Sequence, residues 1–296
     1  MTDARLMRLA TYCAVAVALV LIVAKLGAWV ATDSVALLST LIDSTMDAVA
    51  SLINVAAVHH ALQPADREHR FGHGKAEPLA GLGQSAFIAG SALFLVGEAG
   101  KRLFRPEQVT NVETGIAVMV FSVLLTAVLV TFQTRVVRRT GSLAIGADHL
   151  HYLGDLLMNA SVVVSLLLGN YLGWTFADPL FAIAIAGLLL HGAWTIAQRS
   201  YNLLMDKEFP DEERRRILDI CRTHPEVLSV HDLRTRSAGL QSFIQLHLEL
   251  AADISLAAAH VISDEVEAKI RDAFPVADII IHQDPAGIYE PPPPVD

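Results

Sequence analysis

Apolar residues fall in six long runs, at roughly 9 to 31, 35 to 62, 79 to 104, 112 to 135, 143 to 170 and 176 to 201. Each run reaches the ~20 residues that an α-helix needs to cross a hydrocarbon core, so the pattern predicts six transmembrane helices. An even number of spans leaves both chain ends on one side. The connecting segments are short except for 63 to 78, which is polar and carries histidines.

After residue 206 the pattern changes to that of a soluble unit. DEERRRILDICRTH predicts a helix, VLSVHDLRTR and QSFIQLHLEL two strands, SLAAAHVISDEVEAKIRDAF a second helix and VADIIIHQD a last strand. Ser237 to Leu240, with Gly239, supplies the turn between the first two strands. That order suits a small α+β sandwich with its helices on one face of the sheet. The expected organisation is a six-helix transmembrane domain over 1–206, a soluble domain over 207–287 and a disordered proline-rich tail over 288–296.

Composition agrees with a membrane protein: 53% of the 296 residues are hydrophobic and the mean hydropathy is +0.45. The first apolar run is too long for a secretory signal and lacks a small-residue cleavage site, so it reads as a retained span. Arg5 and Arg8, Arg67, Arg70 and Lys75, Arg135, Arg138 and Arg139, and Arg199 and Lys207 all fall on one side of the six-span path. The excess of Lys and Arg places that side, with both termini, in the cytoplasm. Lys101, Arg102 and Arg105 lie on the opposite side as a minority.

Charge and cysteine content narrow the chemistry. Residues 207–296 hold 9 basic and 17 acidic side chains, so the tail carries nearly all of the net charge of -9. An acidic balance argues against nucleic acid as a partner. The two cysteines, Cys13 and Cys221, form no CxxC pair. Metal chemistry must therefore run on nitrogen and oxygen.

Candidate ligands sit within the apolar runs themselves. Asp43 and Asp47, in DSTMD, are four apart on the second predicted helix and share one face. His151 and Asp155, in HYLGD, repeat that spacing at a similar depth on the fifth. A charge at mid-bilayer costs roughly 2.5–3.5 kcal/mol, so such groups need a partner or a wet cavity. Three carboxylates and one imidazole from two helices make a four-coordinate N/O site suited to zinc and tolerant of Fe(II) or Cd(II). The cation in turn offsets the charge of its ligands. Asn159, further along the His151 face, reads as an interhelical hydrogen-bonding group. Lys25, in the first run, either pairs with an intramembrane acid or snorkels.

These two pairs, the loop FGHGKAEPLAGLGQS, and HDLRTR and IIHQDP in the tail together resemble the cation diffusion facilitator family over almost the whole chain. The resemblance implies a Y-shaped homodimer in the bacterial inner membrane, with six transmembrane helices and a ferredoxin-like cytoplasmic domain in each protomer. It also implies export of zinc, with iron and cadmium as further substrates, in exchange for protons. By the same resemblance, Asp43, Asp47, His151 and Asp155 form the transport site, and Asp66, His69 and His73 in DREHRFGH a peripheral loop site. His231, His247, His260, His282 and Asp284 would form a two-metal site at the dimer interface, and Lys75 and Asp206 a charge interlock between protomers. Strand alternation independently puts His247 with Gln245 and Glu249, and His282 with Asp284, on the face away from the Ile/Leu core. His59, His60, His149, His191 and His224 have no such support and read as structural or interfacial.

Protons compete with metal for these ligands, which bind a cation only when deprotonated. No GxxxxGK[ST] phosphate loop is present, so the expected energy source is an ion gradient and not a nucleotide. A membrane metalloenzyme would call for HExxH or a glycine-flanked nucleophile, and the sequence has neither. A passive channel or an uncoupled sensor stays open as an alternative, separable by whether metal flux moves protons the other way.

Overall fold

The computed structural model describes residues 2–32, 35–104, 113–172, 174 and 176–288. Apart from residue 288, the tail expected to be disordered lies outside the described residues, as does Arg105. The chain falls into two compact units, one over 1–201 and a second over 202–296.

The first unit is built from six helices: α1 (Asp3–Thr32), α2 (Val35–Ala61), α3 (Ala76–Phe104), α4 (Glu113–Thr140), α5 (Leu143–Leu172) and α6 (Ala177–Leu204). Among the described residues, α1, α2, α3, α4 and α6 are long and apolar enough to cross a membrane. The remaining helix, α5, has 30 residues and carries Asp148, His149, His151 and Asp155. Burial is inverted relative to a water-soluble bundle. Large apolar side chains such as Phe94 (75% exposed) and Trp194 (70%) point outward, whereas Ser44, Ser51, Asn54, Gln133 and Asp148 are buried. Such a surface suits lipid, and interior polar groups then act as interhelical adhesive.

Helix α5 is the hub. On one side its Leu150 joins Ile88 and Ala92 of α3 and Ile185, Ala186 and Leu189 of α6. On the other, Ala144 and Ile145 meet Met7, Val58 and Val136, and Tyr152 meets Ala14 and Leu129. Two glycines let α5 and α6 approach. A Cβ on Gly192 would stand 2.7 Å from a Leu150 methyl, and one on Gly154 2.9 Å from a Leu189 methyl. At the start of α5, the Glu77 carboxylate of α3 lies beside the Ser142 hydroxyl and the Leu143 and Ala144 N–H groups. A carboxylate there favours the positive end of the helix dipole.

The second unit contains α7 (Asp211–Arg222), β1 (Ser229–Ala238), β2 (Gln241–Leu250), α8 (Leu256–Ala273) and β3 (Ala277–Pro285). The strands form one sheet in the order β1-β2-β3, with β1 and β2 antiparallel and β2 and β3 parallel across α8. This is the ferredoxin-like βαββαβ pattern without its first strand among the described residues. Gly239 (φ 61) makes the hairpin turn, where a left-handed backbone is needed. Ile244, Leu246, Leu248 and Ile279 pack on Ile217, Val266 and Ile270 of the helices, so one sheet face is covered. His224 Nε2 lies 3.0 Å from Glu265 Oε2 and ties the end of α7 to α8, which gives that histidine its structural role.

Candidate metal centres

The first centre lies where α2 and α5 meet. His151 Nε2 is 2.8 Å from Asp47 Oδ1 and 3.7 Å from Asp155 Oδ2. Donor atoms of Asp47, His151 and Asp155 all come within 4.8 Å of one another. The side chains of His151 and Asp47 are mostly buried, while Asp155 is 41% exposed, so the group is sheltered and still reachable. Asp43, the fourth expected ligand, lies outside this group with an exposed side chain. One helical turn, about 5.4 Å, separates it from Asp47, which stands at the level where α5 is met.

Lys25 and Asp148 stand near this centre, the first left ambiguous by the sequence and the second missed in it. Lys25 donates from Nζ to Ser44 Oγ (2.6 Å) and to the Thr40 carbonyl (3.1 Å). It lies within electrostatic reach of Asp47, Asp155 and Asp43. Asp148, one turn before His151 on α5, is fully enclosed and accepts from Gln133 Nε2 at 2.7 Å. Ser51 Oγ lies 3.5 Å from its other oxygen and 2.9 Å from the Tyr152 hydroxyl. The signal for Asp148 was its place in ADHLHYLGD, three residues before His151 and seven before Asp155 on one helix face.

The second centre lies in the segment between α2 and α3. Asp66 Oδ1 accepts from the N–H groups of His69 (2.7 Å) and Glu68 (2.9 Å). The donation from the His69 backbone, more than any other influence, holds the Asp66 carboxyl below the usual carboxylate range. Its other oxygen is 3.3 Å from His73 Nε2, and His69 Nδ1 is 3.6 Å from Oδ1. Donors of all three residues fall within 4.8 Å. Gly72, at φ 76, supplies the left-handed residue that turns His73 back toward Asp66.

The third centre is a row of histidines across the sheet. Register pairs His231 with His247 and His247 with His282, so three strands place their imidazoles side by side on the face opposite the core. Asp284 gathers them: Oδ2 lies 2.9 Å from His247 Nδ1 and 3.1 Å from His231 Nε2, and Oδ1 lies 3.1 Å from His282 Nε2. That last contact lacks hydrogen-bond alignment, leaving a buried carboxylate oxygen without a bonded proton. Such an oxygen among imidazoles has the chemistry of a metal ligand, and the donor set fits zinc. Asp232 (φ 46), at the irregularity between His231 and Arg234, comes within 3.6 Å of His247 Nε2 and was missed in the sequence. His260 does not join this row. It sits on α8, which packs on the covered face, and its exposed ring is 3.6 Å from Asp264.

Lys75 precedes α3, and Asp206 follows α6 with φ 53 and its Oδ1 3.5 Å from Arg236 Nη1. Each belongs to a different unit of the chain.

Apolar helices enclosing a carboxylate-imidazole cluster, followed by a soluble domain with a second such cluster, define a metal-handling integral membrane protein. Residues 11–205 match the cation efflux transmembrane domain and residues 209–286 the cytoplasmic domain of cation efflux proteins. The chain belongs to the cation efflux family. It is 46% identical to the cation-efflux pump FieF of Shewanella oneidensis over 95% of both chains. It is likewise 46% identical to that of Serratia proteamaculans over 96% of this chain and 95% of that one. The zinc form of the zinc transporter CzrB is 36% identical, covering 29% of this chain and 99% of that chain with a TM-score of 0.27.

Proposed function

We propose that this protein exports divalent cations, zinc foremost with Fe(II) and Cd(II) as further substrates, from the cytoplasm in exchange for protons. The observation that carries the reading is the convergence of Asp47, His151 and Asp155 from two helices onto one point. Asp43 closes on the cation as a fourth ligand, giving the tetrahedral N/O set that zinc favours. An imidazole in the set suits zinc, iron and cadmium better than harder ions. The name of the relatives, cation-efflux pump, points the same way.

Coupling follows from the ligands. Carboxylate and imidazole bind metal only when deprotonated, so each cation that enters displaces protons, and protons arriving from the far side expel it. Alternating access then moves a site near the membrane midplane between the two faces. Lys25 supplies positive charge to the carboxylates while the site holds no cation.

The protein works as a homodimer in the bacterial inner membrane, with both termini in the cytoplasm. His231, His247, His282 and Asp284 hold regulatory zinc, and His260 reaches such a site only from the partner protomer. Lys75 and Asp206 interlock the protomers near the membrane surface. Metal on the soluble domain then biases the membrane helices, an effect that must be reciprocal with cation affinity at the transport site.

The test is zinc flux in proteoliposomes with a pH indicator inside. Antiport predicts zinc uptake accompanied by proton movement in the opposite direction, abolished by Asp47→Ala. Zinc flux without proton movement would assign a channel instead.

A further inference from the structure

The last turn of α2 carries a histidine that the family comparison leaves unassigned. His60 is exposed, and its ring centroid lies 4.5 Å from that of His73 in an edge-on arrangement. His69 approaches His73 from another direction, with centroids 4.6 Å apart. Three imidazoles and the Asp66 carboxylate therefore gather where α2 ends. His73 is the buried member, with its side chain 4% exposed, and its Nδ1 has no hydrogen-bond partner. Leaving a polar atom buried and unpaired costs about 1–3 kcal/mol, so an unpaired imidazole nitrogen among other donors points to a ligand.

We propose that His60 is the fourth ligand of a closed, four-coordinate divalent-metal site whose other ligands are Asp66, His69 and His73. The inference rests on the reading of the loop as a metal centre and adds to it a residue that fixes its coordination. Asp66, His69 and His73 already bring donors within 4.8 Å, and three protein ligands leave one tetrahedral position open. His60 stands outside that group of donors, with its ring edge-on to His73, so filling the position takes a rotation of its side chain. Its backbone is held at the helix end, where its carbonyl accepts from the Gln63 N–H at 3.0 Å, while its exposed side chain is free to turn toward His73.

Four protein ligands on a helix end and the loop beside it, apart from the carboxylates and imidazole shared by α2 and α5, suit a structural metal. Metal at this point staples the loop to the end of α2. The loop leads directly into Glu77, whose carboxylate holds the first turn of α5, the helix that bears His151 and Asp155. Loop metal would thus steady both helices of the transport site.

The test uses the full-length protein in detergent with Asp47→Ala, His247→Ala and Asp284→Ala removing the other two centres. Cobalt(II) then reports geometry through its visible absorption. The parent should show the intense band of tetrahedral cobalt, and Asp66→Ala should abolish it. His60→Gln and His60→Phe should weaken the band and lower zinc affinity at least about tenfold, whereas His59→Gln should change neither. A second readout is trypsin cleavage at Arg67 and Arg70, which zinc should slow in the parent and not in His60→Gln. An unchanged band, affinity and protection in both His60 variants would overturn the inference while leaving the three-ligand loop site standing. A parent that takes up no cobalt, with Asp66→Ala without effect, would remove the loop site itself and the inference with it.

Discussion

Nε2 of His151 lies 2.8 Å from Oδ1 of Asp47, across a sequence separation of 104 residues. The contact joins α2 and α5, the two helices that carry the proposed ligands, by a hydrogen bond. On the proposed reading, a divalent ion entering there would displace the proton that the pair shares. Phe87 of α3 stands 6.1 Å from the imidazole, centroid to centroid, and forms an apolar wall beside it.

If Lys25 and an incoming cation serve the same carboxylates, as proposed, the sign of a substitution is fixed. Lys25→Met removes the hydrogen bonds to Ser44 and Thr40. The metal-free protein should lose roughly 1.5–3 kcal/mol, the range for hydrogen bonds made by a charged group. Added zinc should restore more stability to Lys25→Met than to the parent, and Lys25→Arg should behave like the parent. Thermal unfolding in detergent with and without zinc reads both effects; equal zinc stabilisation in all three would contradict the role given to the ammonium.

Asp148 should matter to folding more than to cation chemistry. Asp148→Ala leaves the Gln133 amide enclosed without its acceptor, and a loss of roughly 1–3 kcal/mol is expected. Asp148→Asn keeps an acceptor and should lose less. In the double variant with Gln133→Leu the penalty should be smaller than the sum of the two single changes, because no orphaned donor remains. A thermal-unfolding double-mutant cycle measures it, and strict additivity would show that the two groups do not interact.

Much of this architecture was legible in the chain because period and length determine it. The six apolar runs correspond to α1 to α6, and the order helix, strand, strand, helix, strand is the one observed. The paired spacings at Asp43 and Asp47 and at His151 and Asp155 identified the helices that meet. What a linear pattern does not contain is the angle at which they meet, and this leaves Asp43 outside the assembled group. The alignment of His231, His247 and His282 is a matter of strand register, set by pairing and not by local sequence. Lys25 was ambiguous for the same reason, since its partners Thr40 and Ser44 belong to another helix. His60 read as structural or interfacial because no spacing rule links a helix end to a loop that folds back over it.

Cys221 should be a silent thiol in the folded soluble domain. It is fully enclosed, and burial pushes its thiol up to about 11, so little thiolate exists near neutrality. In a Cys13→Ser background, maleimide labelling at pH 7.5 should be negligible for the native protein and rapid once urea unfolds the domain. Prompt labelling of the native protein would mean that the core formed by Ile217, Val266 and Ile270 opens readily.

Zinc titration by calorimetry tests the central site most directly. The full-length protein with His73→Ala, His247→Ala and Asp284→Ala retains only the membrane centre. One zinc per chain should bind to it, and Asp47→Ala, His151→Ala or Asp155→Ala added singly should each remove that binding or weaken it at least about tenfold. Retention of one zinc per chain at unchanged affinity in all three variants would contradict the account.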